Sequence, residues 1–212
     1  ASSSELVFSL DTVAPAAVGL ALAEDTGVSA ADAITSLGAL SFSNLENESK
    51  VQYSTDGGKN WANNFKALNG DNRVQVRQVD VAGNVSAASS VFEFVLDTTT
   101  PTKLGVALSL DAGASSTDGV TNLGTIVVSG VEADTTLEYS TDSGNSWSNS
   151  FTATSGFNRV QVRQTDTAGN VSAVSADLVF SLDQVVSVPA IMLNSDTGLS
   201  STDAITNLGT LS

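Results

Sequence analysis

Acidic side chains are the residues of this chain whose number and spacing could support a shared chemistry. Asp and Glu together number 23 against 8 Lys and Arg, and the chain contains neither histidine nor cysteine. The usual general base, the usual zinc ligand and any thiolate nucleophile are therefore missing, which excludes Ser-His-Asp and Cys-His arrangements. Carboxylate oxygens, with amide and carbonyl oxygens, are the ligands that calcium takes. The formal net charge of -15 predicts cations as partners and disfavours nucleic acid and anionic lipid.

The acidic residues recur with a fixed period. Leu96-Asp97-Thr98 follows Leu10-Asp11-Thr12 by 86 residues, and Leu182-Asp183-Gln184 follows after 86 more. Most of the intervening sequence repeats with them, which is typical of one structural unit copied in series. We therefore predict the last strand of a preceding repeat at 1–10, complete repeats at 11–96 and 97–182, and the start of a third repeat at 183–212.

Within each repeat, short segments alternate apolar and polar residues, as half-buried strands do. In the first repeat the pattern predicts strands at about residues 18–23, 39–44, 51–54, 62–67, 73–79 and 91–96, which we name A, B, C, a short strand, F and G. Turn signals such as Asp56-Gly57-Gly58 separate them. The prediction is an all-β chain of tandem immunoglobulin-like β-sandwich domains, each of about seven strands, arranged end to end. Trp61 and Trp147 are predicted to pack against the sandwich rather than to bind sugars.

Several repeated phrases resemble a known family. Asp97-Thr98-Thr99-Thr100-Pro101, Glu138-Tyr139-Ser140-Thr141-Asp142 and Asp166-Thr167-Ala168-Gly169-Asn170 are similar to the bacterial Ig-like repeats of giant RTX-type and biofilm-associated surface adhesins. The resemblance covers the whole chain. It implies many Ig-like units in series, calcium-dependent rigidity, and a role in holding a terminal ligand-binding domain away from the cell.

Strand polarity predicts where the acidic residues meet. The A–B connection lies at the C-terminal pole of a repeat, whereas the B–C and F–G loops lie at the N-terminal pole. Stacked repeats would thus gather carboxylates from an A–B connection, from the linker and from the loops of the next repeat, and a divalent cation would relieve their mutual repulsion. Alternatively, these aspartates only shape turns, which is our interpretation of Asp56 and Asp142. The predicted calcium ligands are Asp11, Asp25, Asp32, Glu46, Asp80, Asp97, Asp111, Asp118, Glu132, Asp134, Asp166 and Asp183.

The predicted function is that of a structural extender in a secreted, cell-surface adhesin, with calcium and the neighbouring repeats of the same chain as partners. Two alternatives stay open at this point: a glycan- or protein-binding Ig-like module, and an accessory domain of a secreted hydrolase. We expect no enzyme activity within the chain, because no catalytic constellation is present. No apolar run approaches the roughly 18 residues of a membrane span, so no membrane insertion is expected.

Overall fold

The computed structural model describes residues 4–197 and 199–208, and every regular element in them is a strand. Twelve strands form two sets of six, and each strand of the second set begins 86 residues after its counterpart. The first unit contains β1 (Gly19–Leu22), β2 (Ile34–Thr35), β3 (Leu40–Ser43), β4 (Lys50–Ser54), β5 (Gly70–Val79) and β6 (Phe92–Leu96). The second unit contains β7 (Gly105–Leu108), β8 (Val120–Thr121), β9 (Ile126–Ser129), β10 (Thr136–Ser140), β11 (Gly156–Thr165) and β12 (Leu178–Leu182).

Each unit folds as two facing sheets. In the first unit, β1 pairs antiparallel with β3, and a four-stranded sheet has the order β2-β6-β5-β4. The short β2 pairs parallel with the end of β6, with Ile34 opposite Val95, while β5 pairs antiparallel with both of its neighbours. The second unit has the same order, β10-β11-β12-β8 beside β7-β9. The predicted all-β, Ig-like sandwich is therefore confirmed.

The core lies between the two sheets and consists of the alternate residues that face inward. Val74 and Val76 of β5 are fully buried, and Phe94 of β6 is 3% exposed. Aromatic rings extend this core, with Phe65 stacked on Tyr53 and edge-on to Phe94. The second unit repeats the arrangement with the buried residues Val160, Val162 and Phe180. The inward faces are those that the alternating pattern predicts.

Three details differ from the predicted strands. The sequence gives no sign of β2, because two residues between turns carry no period. Strand β5 starts at Gly70 rather than at residue 73, since its first half pairs with β6 along Gly70 to Val74. The predicted strand at 62–67 reduces to one bridge between Tyr53 and Ala62, although Phe65 still packs into the core. Each unit thus has six strands instead of about seven.

The predicted partial repeats form no strand in the described residues 4–10, 183–197 and 199–208. Leu6, Phe8 and Leu10 are 83%, 76% and 79% exposed. The third copy nevertheless repeats two turn bonds of the complete units, because Asp196 accepts a hydrogen bond from the backbone N–H of Ala204, and Asp203 accepts one from Ile205. The rest of these two segments, residues 1–3, 198 and 209–212, lies outside the described residues.

Candidate functional site at the junction between the two units

The end of β6, the linker and the A–B connection meet at the C-terminal pole of the first unit. The A–B connection contains β2, and the backbone N–H of Asp97 donates a hydrogen bond to the carbonyl of Thr35 at 2.9 Å. Asp97 begins the linker, so the A–B connection lies directly beside the point where the chain leaves the first unit. This is the position that strand polarity predicts.

Two loops of different units are in direct contact at this point. The A–B loop of the first unit (residues 24–33) reaches the F–G loop of the second unit (residues 166–170). The hydroxyl of Thr26 donates to the carbonyl of Ala168 at 2.6 Å, and the backbone N–H of Val28 donates to the carbonyl of Thr167 at 3.2 Å. The side-chain amide of Asn170 donates to the carbonyl of Asp97 at 2.8 Å, which ties the linker to the same loop.

Glycines make this close approach possible. A Cβ on Gly27 would lie 2.0 Å from the carbonyl oxygen of Thr167, and a Cβ on Gly169 would lie 2.9 Å from the backbone nitrogen of Gly27. Both glycines also have positive φ, 104° and 91°, which other residues adopt at a cost. The two backbones therefore touch where neither has a side chain.

The first unit supplies an internal comparison, because its F–G loop has nearly the same sequence but no folded unit packs against it in the described residues. Ala168 is 1% exposed, whereas the equivalent Ala82 is exposed. Val81, at the position of Thr167, is 75% exposed. The burial of Ala168 thus comes from contact with the first unit and not from the loop itself.

A buried glutamine holds the loops of the N-terminal pole in place. Gln164 of β11 is completely buried. Its side-chain oxygen accepts hydrogen bonds from the backbone N–H of Glu132 at 3.0 Å and from the hydroxyl of Thr135 at 2.9 Å. Its amide group donates to the carbonyls of Thr102 and Gly130 at 2.8 and 3.2 Å. Gln78 performs the same task in the first unit. One side chain thereby connects strand F, the B–C loop and the start of the repeat.

The A–B loop is ordered by hydroxyl groups. Thr35 of β2 is completely buried, and its hydroxyl lies 3.1 Å from that of Thr26. The Thr26 hydroxyl also accepts a hydrogen bond from the backbone N–H of Ser36 at 2.8 Å. Hydrogen bonds within its own unit therefore hold Thr26 in the position from which its hydroxyl donates to the carbonyl of Ala168.

Nine of the predicted calcium ligands accept hydrogen bonds from backbone N–H groups of their own chain segments. Within the linkers, the A–B loops and the F–G loops, an aspartate oxygen accepts a hydrogen bond from a backbone N–H two to eight residues further along the chain. The aspartates that accept these hydrogen bonds are Asp11, Asp97 and Asp183 in the linkers, Asp25, Asp32, Asp111 and Asp118 in the A–B loops, and Asp80 and Asp166 in the F–G loops.

The three remaining predicted ligands belong to the B–C loops. Glu132 accepts a hydrogen bond from the backbone N–H of Thr102 at 2.6 Å. Asp134 has a positive φ of 58°, and its carbonyl accepts a hydrogen bond from the hydroxyl of Thr167 at 3.3 Å. The Glu46 side chain is exposed. The B–C loop therefore supports the F–G loop, but through a backbone carbonyl and not through a carboxylate.

The geometry at the junction differs from a carboxylate cluster. Among residues 4–197 and 199–208, no three acidic side chains come together as a group that could hold a metal ion. One oxygen of Asp25 and one of Asp111 are buried and accept no hydrogen bond, so each A–B loop offers a single free carboxylate oxygen of the 6–8 oxygens that calcium takes. The segments thus meet as predicted while their carboxylates do not, and calcium binding itself stays a prediction.

Hydrogen bonding lowers the pKa of several loop carboxyl groups. The side-chain amide of Asn84 is the main cause for Asp80, and the backbone N–H of Thr102 is the main cause for Glu132. The backbone N–H of Asn60 lowers the pKa of Asp56 to about 2, and the hydroxyl of Ser146 lowers that of Asp142 to about 2. Because these donors stabilise the charged form, the groups are ionised well into the acid range.

Each tryptophan ring packs against an arginine of its own unit. The guanidinium group of Arg77 lies 4.3 Å from the ring centroid of Trp61, and that of Arg163 lies 4.1 Å from Trp147. Each indole N–H donates to a glycine carbonyl of its own turn. Both tryptophans thus pack against their own unit through an arginine and a turn carbonyl, which agrees with the predicted packing role.

Most residues that form the contact between the units are not among those predicted from the spacing of the acidic side chains. Thr26, Gly27, Gly169 and Asn170 provide the contacts between the units, and none of them carries a charge. A signal for two of them exists in the sequence, because the Gly-Asn pair of the F–G loop recurs as Gly83-Asn84. The sequence of one repeat does not indicate which residues of the next repeat these side chains and glycines contact.

Strand order and register define the class of protein: the chain contains two Ig-like β-sandwich units in series. No protein-family model and no curated protein matches it. Among solved structures, the fibronectin(III)-like modules of CbhA from Clostridium thermocellum match with a TM-score of 0.40 and 14% identity, covering 68% of this chain and 83% of that chain. In the described part of the chain, no helix has the length and apolar composition needed to cross a membrane.

Proposed function

We propose that this chain is part of the extender region of a secreted bacterial surface adhesin, in which repeats joined end to end project a distal binding domain. The observation that carries the proposal is the contact between the A–B loop of one unit and the F–G loop of the next, with the Ala168 carbonyl 2.6 Å from the Thr26 hydroxyl. Units in one chain move relative to one another by default. A contact that orders both loops and the linker supports a spacer of fixed shape.

Charge and composition favour the same role. A formal net charge of -15 keeps such an array soluble and makes its units repel one another sideways. The absence of histidine and cysteine fits a module without catalysis of its own. The target of the distal domain is a property of other parts of such an adhesin.

Calcium belongs to this proposal as a stabilising ion. The buried oxygens of Asp25 and Asp111, which accept no hydrogen bond, support a cation at the A–B loops. Extracellular modules bind calcium at about 10⁻⁴–10⁻³ M. A thermal melt of the chain at millimolar calcium and in EDTA tests this part. We expect a clear rise in melting temperature with calcium, and equal melting temperatures would remove the ion from the account.

Small-angle X-ray scattering of the chain in calcium buffer tests the spacer itself. The expected particle is elongated, with two units in line and a spacing of about 35–45 Å between equivalent points, from a longest strand of 10 residues at about 3.3 Å per residue plus the linker. A broad mixture of bent and straight particles would contradict the proposed function.

A further inference from the structure

We propose that the A–B loop of each repeat is a docking surface for the F–G loop of the next repeat, and that this contact fixes the angle between repeats without a metal ion. The inference rests on the proposed spacer function and names the part of the molecule that makes it stiff. Its surface comprises Thr26, Gly27 and Val28 on one side, and Thr167, Ala168 and Gly169 on the other.

The atoms in contact at this surface need no cation. The Thr26 hydroxyl and the Val28 N–H are donors, and the carbonyls of Ala168 and Thr167 are acceptors. No carboxylate takes part in these two bonds, so no like charges have to be neutralised for the loops to approach. The side-chain amide of Asn170, which binds the Asp97 carbonyl, adds a third neutral bond through the linker.

The contact is also selective for shape. At the tip of each loop stands a glycine, and a Cβ on Gly27 would lie 2.0 Å from the Thr167 carbonyl oxygen. The Cβ of a residue replacing Gly169 would meet the backbone nitrogen of Gly27 at 2.9 Å. These are backbone atoms, which cannot move aside as the end of a flexible side chain can. The surface therefore accepts a partner loop whose tip is glycine.

The A–B loops differ in one contact residue. Thr26 of the first unit is replaced by Ala112 in the second, and a threonine returns as Thr197 in the third copy. Ala112 has no hydroxyl, so the surface that the second unit offers to a following F–G loop has one hydrogen bond fewer. Junctions along the array are accordingly expected to differ in strength.

Two glycines provide a matched test. Gly169 and Gly83 occupy the same place in the two F–G loops, with φ of 91° and 97°, so alanine strains both loops alike. A Cβ on Gly83, however, meets nothing within 4 Å. Gly169→Ala should therefore disturb the junction, whereas Gly83→Ala should disturb its own loop alone. Gly27→Ala attacks the same contact from the other repeat and is informative even if Gly169→Ala weakens the second unit.

The measurement is the set of residual dipolar couplings of the weakly aligned whole chain in EDTA, fitted separately for each repeat. We expect one common alignment tensor for wild type and Gly83→Ala, and loss of the common tensor in Gly169→Ala and Gly27→Ala. A common tensor in both of the latter variants would overturn the inference. Separate tensors for the two repeats of the wild-type chain in EDTA would also overturn the inference. If calcium then restores a common tensor, the spacer function stands and calcium is what fixes the angle between the repeats. If the tensors stay separate in calcium, the proposed spacer function fails too.

Discussion

At the scale of single residues, the carboxylates of this protein act mainly as acceptors for nearby backbone N–H groups. Asp142 accepts from the backbone N–H and the hydroxyl of Ser146, and Asp56 accepts from the backbone and side-chain amides of Asn60. Aspartates that bond to their own turn fix the shape of the loop. The turn role that the sequence predicts for these two residues is the one that the structure has.

The lowered pKa values of Asp56 and Asp142 predict how stability responds to acid. Their ordinary value is 3.8 and their value in the folded protein is about 2. A carboxyl group with a lowered folded pKa contributes stability above its ordinary value, and that contribution is lost as pH falls from about 4 to about 2. Asp56→Asn and Asp142→Asn should therefore lower the urea midpoint at pH 7 and weaken its dependence on pH in this window.

Urea unfolding at pH 7 and in steps from pH 4 to pH 2 checks this, together with NMR titration of the carboxyl carbons. Asp71→Asn is a suitable control, because Asp71 lies exposed in β5 and the substitution changes the charge equally. Its midpoint should stay close to that of wild type at pH 7. A midpoint for Asp142→Asn equal to wild type across the range would contradict the turn role of the charge.

At the scale of strands and loops, the structure depends on buried polar side chains that connect elements. Gln164 joins β11 to the B–C loop and to the start of its repeat with four hydrogen bonds. The four bonds satisfy the whole side chain, so burying it costs little. The same residue indirectly positions the F–G loop, since the B–C loop contacts Thr167 through the Asp134 carbonyl.

Replacing this glutamine should destabilise the second unit. Gln164→Leu removes the partner of the Glu132 N–H, the Thr135 hydroxyl and the carbonyls of Thr102 and Gly130. Each lost hydrogen bond costs about 0.5–1.5 kcal/mol. Allowing for partial rearrangement, we expect a loss of about 2–4 kcal/mol in the free energy of unfolding of that unit. Chemical denaturation followed at Trp147 reports it.

The control is Gln161→Leu, which removes a half-buried glutamine from the same strand. Its cost should be clearly smaller than that of Gln164→Leu. Equal losses would mean that Gln164 acts as an ordinary strand residue and not as the link between loops.

Sequence reasoning is most successful for the features that depend on local pattern. Alternation identifies Val74, Val76 and Phe94 as core, and strand polarity places the A–B and F–G loops at facing poles. It fails where atoms compete for partners. The sequence predicts that the carboxylate of Asp97 faces other carboxylates across the junction. In the structure it accepts a hydrogen bond from the backbone N–H of Thr99 at 2.9 Å. A two-residue strand such as β2 is too short to show an alternating pattern. It forms because its backbone pairs with β6, which is distant in the sequence.

At the scale of the whole molecule, two units with the same strand order are joined by a contact that involves the linker and one loop from each unit. The contact involves few residues and lies at a pole of each unit, where we propose that it limits bending. The loop glycines Gly27 and Gly169 recur as Gly113 and Gly83, although Ala112 stands in place of Thr26, so the same arrangement of loops can continue along an array. The proposed extender function depends on this property more than on any single unit.

The two units are proposed to keep a fixed end-to-end arrangement, and one distance distribution tests this most directly. Because the chain contains no cysteine, spin labels can be attached through Thr55→Cys and Thr141→Cys, which change equivalent exposed positions of the two units. Double electron–electron resonance in EDTA should give a single narrow distribution, at a repeat spacing of about 35–45 Å. A broad distribution for the labelled chain, unchanged when Gly169→Ala is added, would contradict a fixed arrangement of the two units.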